Sequence, residues 1–483
     1  MKPANLLFII SDQHTRDITG CYGHPVIQTP NIDRLAHRGT RFSSAYTNCP
    51  ICVPARASLA TGQYVHQIGN WDNAFPYNGT VPSWGHRLNE QSFRCDSIGK
   101  LHFRGPDDDN GFTEEVDPLH VVDGVGDILG CIRQNPPFRD KRVGIDNAGP
   151  GDSTYLEYDV LNADNAVQWL ANHSNDEKPW CLFLSLVCPH PPYISPAELF
   201  DLYPPEELPL PSQWQQDDWP DHSALEYFRR FFHFDKPFDE SVIRRLTAAY
   251  YGVCTHLDKQ IGRVLDALSV SGLEDTTRVM YTSDHGESLG ARGLFGKFTM
   301  YEEAAAVPMI LAGPDVPVGN VCNTPVSLVD CFPTVLDCLG GSTHPDDLTL
   351  PGDPLWGIAT SPDRDRTVFS EYHAVGSQTA IYMLRNRTLK YVHYVGQRPQ
   401  LFNLLDDPQE CHDLADDPSQ QSVLQEFQST LGALLDPQQT DAKARADQQA
   451  LIETFGGEAA VRKRGAFDNS PVPGEPPAFR SHG

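Results

Sequence analysis

The chain has 483 residues, 40% of them hydrophobic, and a formal charge of −27 from 37 basic and 64 acidic side chains. That length suits one large α/β domain with a smaller companion. The charge argues against a nucleic-acid binder, which needs a basic face for phosphates, and against a protein that docks on anionic membranes.

In chain order, "NLLFII" (Asn5 to Ile10) predicts a buried first strand that ends at Ser11-Asp12. The run is too short, and lacks the small-residue cleavage site, for a signal peptide. No apolar run of transmembrane length follows. The expectation is a cytoplasmic protein whose 12 cysteines are mostly reduced and buried. On that reading Asn78, Asn172 and Asn386, each in an Asn-x-Ser/Thr site, carry little weight. "TPNIDRLAHRG" predicts a short helix stopped by Gly39, and "KPWCLFLSLV" (Lys178 to Val187) another buried strand. The longest helical pattern runs from Asp239 to Gly272, and "TTRVMYTSDHG" then predicts a strand ending at Asp284. "VPMILAGP" and "SLVDCFPTVLDCLGG" predict one more strand and helix.

Continuous apolar strands imply a sheet covered on both faces, so residues 1–365 are expected to form a doubly wound α/β domain. A polar run near residue 360 separates a second unit. There "AIYMLRNRTLKYVHYV" predicts a hairpin turning at Arg385-Asn386-Arg387, and a helix is expected from about Ser422 to Leu435. Residues 366–440 are therefore read as a small α+β domain, and 441–483 as an extended tail.

Chemistry-bearing residues cluster just past predicted strands, where open α/β sheets collect ligands. Asp12 ends the first strand, His190 follows the strand at 178–187, and Asp284-His285 end the strand at 278–283. Two carboxylates and a histidine at strand ends suit a divalent metal. A second cluster lies in "NCPICVPARASLATG" (Asn48 to Gly62). Its Cys49-x-x-Cys52 spacing fits a redox dithiol or half a zinc site, but no second Cys-x-x-Cys completes the latter. Cys52-x-Pro54-x-Arg56 followed by Thr61-Gly62 is the longer pattern.

"CVPARASLATG" resembles the signature of the type I sulfatases of the alkaline-phosphatase superfamily. "IISDQH", "GKLHFRG", "PHPPY", "TSDHGE", "GKFTMYEE" and "QLFNLLDDPQE" follow in that family's order, over about residues 4 to 420. The resemblance implies an alkaline-phosphatase-like fold with a large mixed sheet. It implies that Cys52 is converted to formylglycine by a formylglycine-generating enzyme, a maturation partner, and then serves as nucleophile and metal ligand. Asp12, Asp284 and His285 would ligate a divalent metal, Ca2+ first and Mn2+ or Mg2+ as alternatives. Arg56 would hold the oxidised Cys52 side chain. Lys100, His102, His190 and Lys297 would grip sulfate oxygens, and Asn73 would contact substrate. Asp284 would serve as base for the attack, His102 as base for release of sulfate, and Lys297 or His190 as proton donor to the leaving oxygen.

Two positions depart from the commonest family pattern: Gln13 stands where many sulfatases carry aspartate, and His285 where many carry asparagine. Both resemble the choline-sulfatase and phosphonate-monoester-hydrolase branches. The Lys100-x-His102 pair argues for sulfate. The function expected is hydrolysis of a small-molecule or carbohydrate sulfate monoester. Phosphonate monoester or phosphodiester hydrolysis is the alternative, and a redox or zinc protein a further one. Segments 104–160 and 194–240 are expected to shape the entrance. The tail is long enough to clasp a second copy, so a homo-oligomer stays open.

Overall fold

The computed structural model describes residues 2–480; positions 481–483 of the expected tail lie outside the described residues. The apolar runs become strands because successive side chains feed two different cores. In Asn5–Asp12, Leu6, Phe8 and Ile10 join the core on one face, Leu7 and Ile9 the core on the other. Trp180–Pro189 divides likewise, with Cys181 and Phe183 opposite Leu182 and Leu184. Each such large side chain, fully buried, contributes about 1.5–3 kcal/mol.

Eight strands form the main sheet, in the order Asn320–Cys322, Gly39–Phe42, Met309–Ala312, Thr277–Ser283, Asn5–Asp12, Trp180–Pro189, Arg94–Lys100, Glu114–Leu119. Met309–Ala312 runs against both neighbours, and the other pairings are parallel. The helices Thr154–Asn172 and Glu240–Val270 cover the Leu7 face, and Cys331–Leu339 with Trp84–Glu90 the Phe8 face. This is the expected large, doubly wound, mixed sheet.

The C-terminal region adds an antiparallel sheet of Val368–Tyr372, Ile381–Arg385, Leu389–Tyr394 and Gln400–Asn403. Its hairpin turns where expected, because the Asn386 side-chain oxygen accepts from the Thr388 and Leu389 amides at 3.0 and 2.8 Å. Helix Gln421–Leu434 covers the sheet with Leu424, Phe427 and Leu431.

The extended tail expected over 441–483 is corrected. Helices Pro437–Thr454 and Glu458–Arg464 occupy much of it. Asp436 caps the first by accepting from the Gln439 amide at 3.0 Å, with Pro437 in the first turn. This helix docks largely through polar contacts. Trp71 Nε1 donates to Asp447 at 2.8 Å, and Gln448 donates to the His373 carbonyl at 2.9 Å. Such a helix shows little apolar periodicity, so its sequence does not announce it. Among the described residues no helix is long and apolar enough to cross a membrane.

Candidate active site

Four adjacent parallel strands end at one edge of the sheet and carry Asp12, Lys100, His190 and Asp284 at or just beyond their last residues. Cys52 opens the helix Cys52–Thr61, which is buried along its whole length and stopped by Gly62 at φ 67°. Pro54 sits in the first turn, where its missing amide hydrogen costs no helical bond. Next to Lys100, Gly99 is required: at φ 92° its missing Cβ would lie 2.2 Å from the Ser185 carbonyl oxygen.

Asp12, Cys52, Asp284 and His285 offer ligand atoms that all lie within 4.8 Å of one another, and all four are buried. His285 Nδ1 contacts the Gly286 carbonyl at 3.1 Å, which turns Nε2 toward the cluster, 3.7 Å from Asp12 and 3.5 Å from Asp284. Burial pushes the His285 pKa down to about 4, so the ring is neutral and able to ligate. Burial also opposes ionisation of Asp12. The charges of Lys100, Lys297 and Arg56 outweigh it and hold the carboxyl well below its usual range. Carboxylate, neutral imidazole and a fourth donor at one point make a donor set that fits a divalent cation.

Arg56 directs its donors to the carboxylates instead of to Cys52. Nε donates to Asp284 at 2.9 Å, Nη2 to Asp12 at 3.4 Å, and Nη1 to the Lys100 carbonyl and Ser185 hydroxyl at 2.8 and 2.9 Å. Lys100 Nζ lies 2.5 Å from Asp12 and is fully buried. The ammonium touching Cys52 Sγ is Lys297, at 2.9 Å, and it also donates to Gln13 Oε1 at 2.9 Å. The amide of Gln13 is engaged at both ends, since Nε2 donates to Glu287. Glu287 in turn accepts from Tyr193 at 2.7 Å and from the Leu289 and Gly296 amides. Gln13 and His102 hold left-handed backbone conformations, φ 70° and 56°; such strain persists where the surroundings enforce it, commonly at functional sites.

A cavity of about 400 Å³ opens on this cluster, lined by Cys52, Gln13, Asn73, His102, His190 and Lys297 at its floor. Asn73 faces it while its side-chain oxygen accepts from the Val53 amide at 3.2 Å. Phe232, Phe234, Phe295 and Phe298 form an aromatic wall, with Phe232 stacked on Phe298 at 4.7 Å. Asp127, Arg139, Lys141 and Asn147 from one expected entrance segment, and Phe232 and Phe234 from the other, line the cavity. Sequence reasoning missed Ser185, Glu287 and the tail residues Phe467 to Ser470. Glu287 belongs to the quoted "TSDHGE", but nothing local marks Ser470.

Cys49 and Cys52 are both buried free thiols. Burial pushes the Cys52 thiol up to about 11 and Cys49 well above its ordinary value. A redox dithiol needs exposure and a lowered pKa, and this pair has neither. Cys49 packs into the hydrophobic core that also holds Trp71 and Tyr372.

The sulfatase family profile matches residues 4–342, and the "N-sulphoglucosamine sulphohydrolase, C-terminal" profile matches residues 290–436. A choline-sulfatase of Rhizobium meliloti (strain 1021) is 31% identical over 473 residues, 92% of this chain and 90% of the relative. An arylsulfatase K of Danio rerio is 30% identical over 481 residues, 93% and 87% of the two chains. A phosphonate monoester hydrolase from Silicibacter pomeroyi shares the fold, with a TM-score of 0.72 at 24% identity over 89% of this chain and 94% of that one. With a buried Asp/Cys/Asp/His cluster and a profile that matches over most of its length, this chain belongs to the sulfatase family, the sulfuric ester hydrolases.

Proposed function

We propose that the chain hydrolyses sulfate monoesters of a small alcohol or carbohydrate, with formylglycine made from Cys52 as its nucleophile. The observation that carries this reading is Cys52 at the cavity floor, with Sγ 2.9 Å from Lys297 Nζ and 3.1 Å from His285 Nε2. At a pKa of about 11 the plain thiol is a weak nucleophile at neutral pH. As a hydrated aldehyde, the oxidised side chain supplies one hydroxyl for attack on sulfur and a second whose deprotonation frees sulfate. Asp12, Asp284, His285 and oxidised Cys52 would hold one divalent metal. Ca2+ suits the oxygen donors, and Mn2+ the imidazole. Bound there, the metal supplies Lewis-acid stabilisation of charge on the transferred group.

This chain's own side chains do the rest. Lys297 grips a sulfate oxygen and, with His190, serves the leaving oxygen. Burial and Lys297 lower the pKa of His190, and burial and Lys100 that of His102, so both rings are neutral at neutral pH. A neutral His102 can accept the proton that sulfate release requires. Asp284 takes the proton lost in the attack. Lys100 and Arg56 hold Asp12 ionised, and Arg56 orients Asp284 as well. Asn73 fixes the ester from the cavity floor.

Gln13 and His285 favour a second reading, phosphonate monoester or phosphodiester hydrolysis. Both replace an acidic or amide residue of the commoner sulfatase pattern, and the fold is shared with a phosphonate monoester hydrolase. The test is protein co-expressed with a formylglycine-generating enzyme, its tryptic peptide Phe42–Arg56 weighed, and kcat/KM compared on aryl sulfate and phenylphosphonate ester. We expect formylglycine at Cys52, faster turnover of the sulfate, and no turnover by Cys52→Ala. An active protein with an unmodified Cys52 thiol would refute the mechanism, and a faster phosphonate rate would favour the second reading.

A further inference from the structure

The segment 466–480 lines the cavity, and the sulfatase reading leaves it without a role. Its two ends pair. The Ala466 amide donates to the Arg480 carbonyl at 3.1 Å, and the Arg480 amide returns a bond to Ala466 at 2.7 Å. Arg480 also bridges to Asp468 at 2.7 Å, and Phe467 meets Phe479 edge-on at 5.8 Å. A loop closed at its base and packed by its own side chains holds a defined shape. Between the two ends the chain crosses the active site. Ser470 is 7% exposed, its carbonyl accepts from the Tyr155 hydroxyl, and Val472 packs against the core beneath.

We infer that Ser470 is a positioning residue for His102, and that the loop 466–480 exists in part to deliver it. The inference rests on the reading of the site as a sulfate-ester hydrolase in which His102 takes a proton. The Ser470 hydroxyl lies 2.9 Å from His102 Nε2, and this is the sole hydrogen bond of the ring among the described residues. Nδ1 is buried and has no protein partner. With Nε2–H donating to Ser470 Oγ, the lone pair sits on Nδ1, the nitrogen left free to accept a proton. Without Ser470 neither nitrogen has a partner, and the tautomer and ring angle are held by packing alone. Partners of this kind set the orientation and basicity of a working imidazole. The contact joins residues 368 positions apart, so loss of the tail would reach the reacting group directly.

The experiment uses full-length, formylglycine-bearing protein and p-nitrophenyl sulfate. For Ser470→Ala we expect kcat to fall about 10- to 100-fold with KM within about twofold of wild type. Ser470→Thr, which keeps the hydroxyl, should restore most of the rate. The double variant Ser470→Ala/His102→Ala should be no slower than His102→Ala alone, because the two act through one group. Wild-type kcat in Ser470→Ala, or a loss that multiplies in full onto that of His102→Ala, overturns the inference. Independently of turnover, long-range 1H–15N correlation on histidine-labelled protein reads the ring. Protonated Nε2 in the wild type, lost in Ser470→Ala, supports the contact, and the opposite tautomer refutes it. If wild type bearing formylglycine turns over no sulfate ester, the functional reading fails, while the tautomer still decides the contact.

Discussion

Lys297 shows how one side chain can organise the site. The residue is 8% exposed, and its ammonium touches both Cys52 Sγ and Gln13 Oε1. Burial opposes its charge, but Cys52 and Asp12 outweigh burial and raise its pKa, so it stays protonated across the neutral range. Lys297→Met is expected to lower kcat on an aryl sulfate by about 10²–10⁴-fold, the scale of one acid–base or charge-stabilising group, with a smaller change in KM. Steady-state kinetics check this, and an unchanged kcat would remove Lys297 from the chemistry. At this scale the motifs were informative, because Lys297, Cys52, Asp12, Asp284 and His285 each stand in a recognisable pattern and converge in space. The partner of Arg56 was not legible. The motif implies Cys52, whereas the folded chain offers two buried carboxylates that need a cation more.

At the scale of elements, the strand Val368–Tyr372 of the C-terminal sheet locks the segment that follows the helix Cys52–Thr61. Glu371 is buried and accepts from the His66 amide at 3.0 Å, from His66 Nδ1 at 2.9 Å and from His373 Nε2 at 2.8 Å. Burial opposes the charge on both partners, but pairing wins. It holds Glu371 down to about 2 and raises His66 above its ordinary value. The depressed Glu371 pKa adds stability that is present above its unfolded value and lost as pH falls through about 2. The raised His66 pKa adds stability that is present below its unfolded value and lost as pH rises through the folded one. The pair therefore contributes most between about pH 4.5 and 6.5. Glu371→Gln should cost about 1–3 kcal/mol there and less at pH 8. Thermal melts of both proteins across pH 4–8 test this, and a pH-independent difference would refute the ionic reading. His66 does not announce itself in sequence, since it meets Glu371, 305 positions away, only when helix Val65–Ile68 packs against the strand Val368–Tyr372.

At the scale of the whole molecule, a buried ion cluster joins the C-terminal sheet to helix Glu302–Ala305 and to Arg16 beyond the first strand. Lys390, fully buried in the C-terminal sheet, lies 2.6 Å from Glu302 and 2.7 Å from Glu410 and donates to the Met300 carbonyl at 2.8 Å. Glu302 also pairs with Arg16 at 2.9 Å and accepts from Tyr46 at 3.1 Å. Burial pushes Glu410 up to about 7, whereas Lys390 and Arg16 overcome burial at Glu302 and hold it down to about 2. Lys390→Met would leave two carboxyls facing each other without their shared cation. We expect a loss of about 3–5 kcal/mol, read as a lower denaturation midpoint in urea. A midpoint within error of wild type would mean that the cluster is replaceable. Because Glu302 and Met300 follow Lys297 in chain, the same variant should also weaken activity.

What the sequence determined by itself was local and periodic. Continuous apolar runs demanded a sheet covered on both faces, and the motif cysteine with its strand-end carboxylates and histidines marked the reacting centre. These are legible because hydrophobic period and motif spacing act over a few residues at a time. What only the tertiary structure decided were contacts between distant positions: Arg56 on Asp12 and Asp284, Lys100 on Asp12, the polar docking of Pro437–Thr454, and Ser470 on His102. Such contacts leave no local pattern. A buried charge or hydrogen-bonding group takes whichever partner folding brings near, and the cost of leaving it unpaired makes that choice.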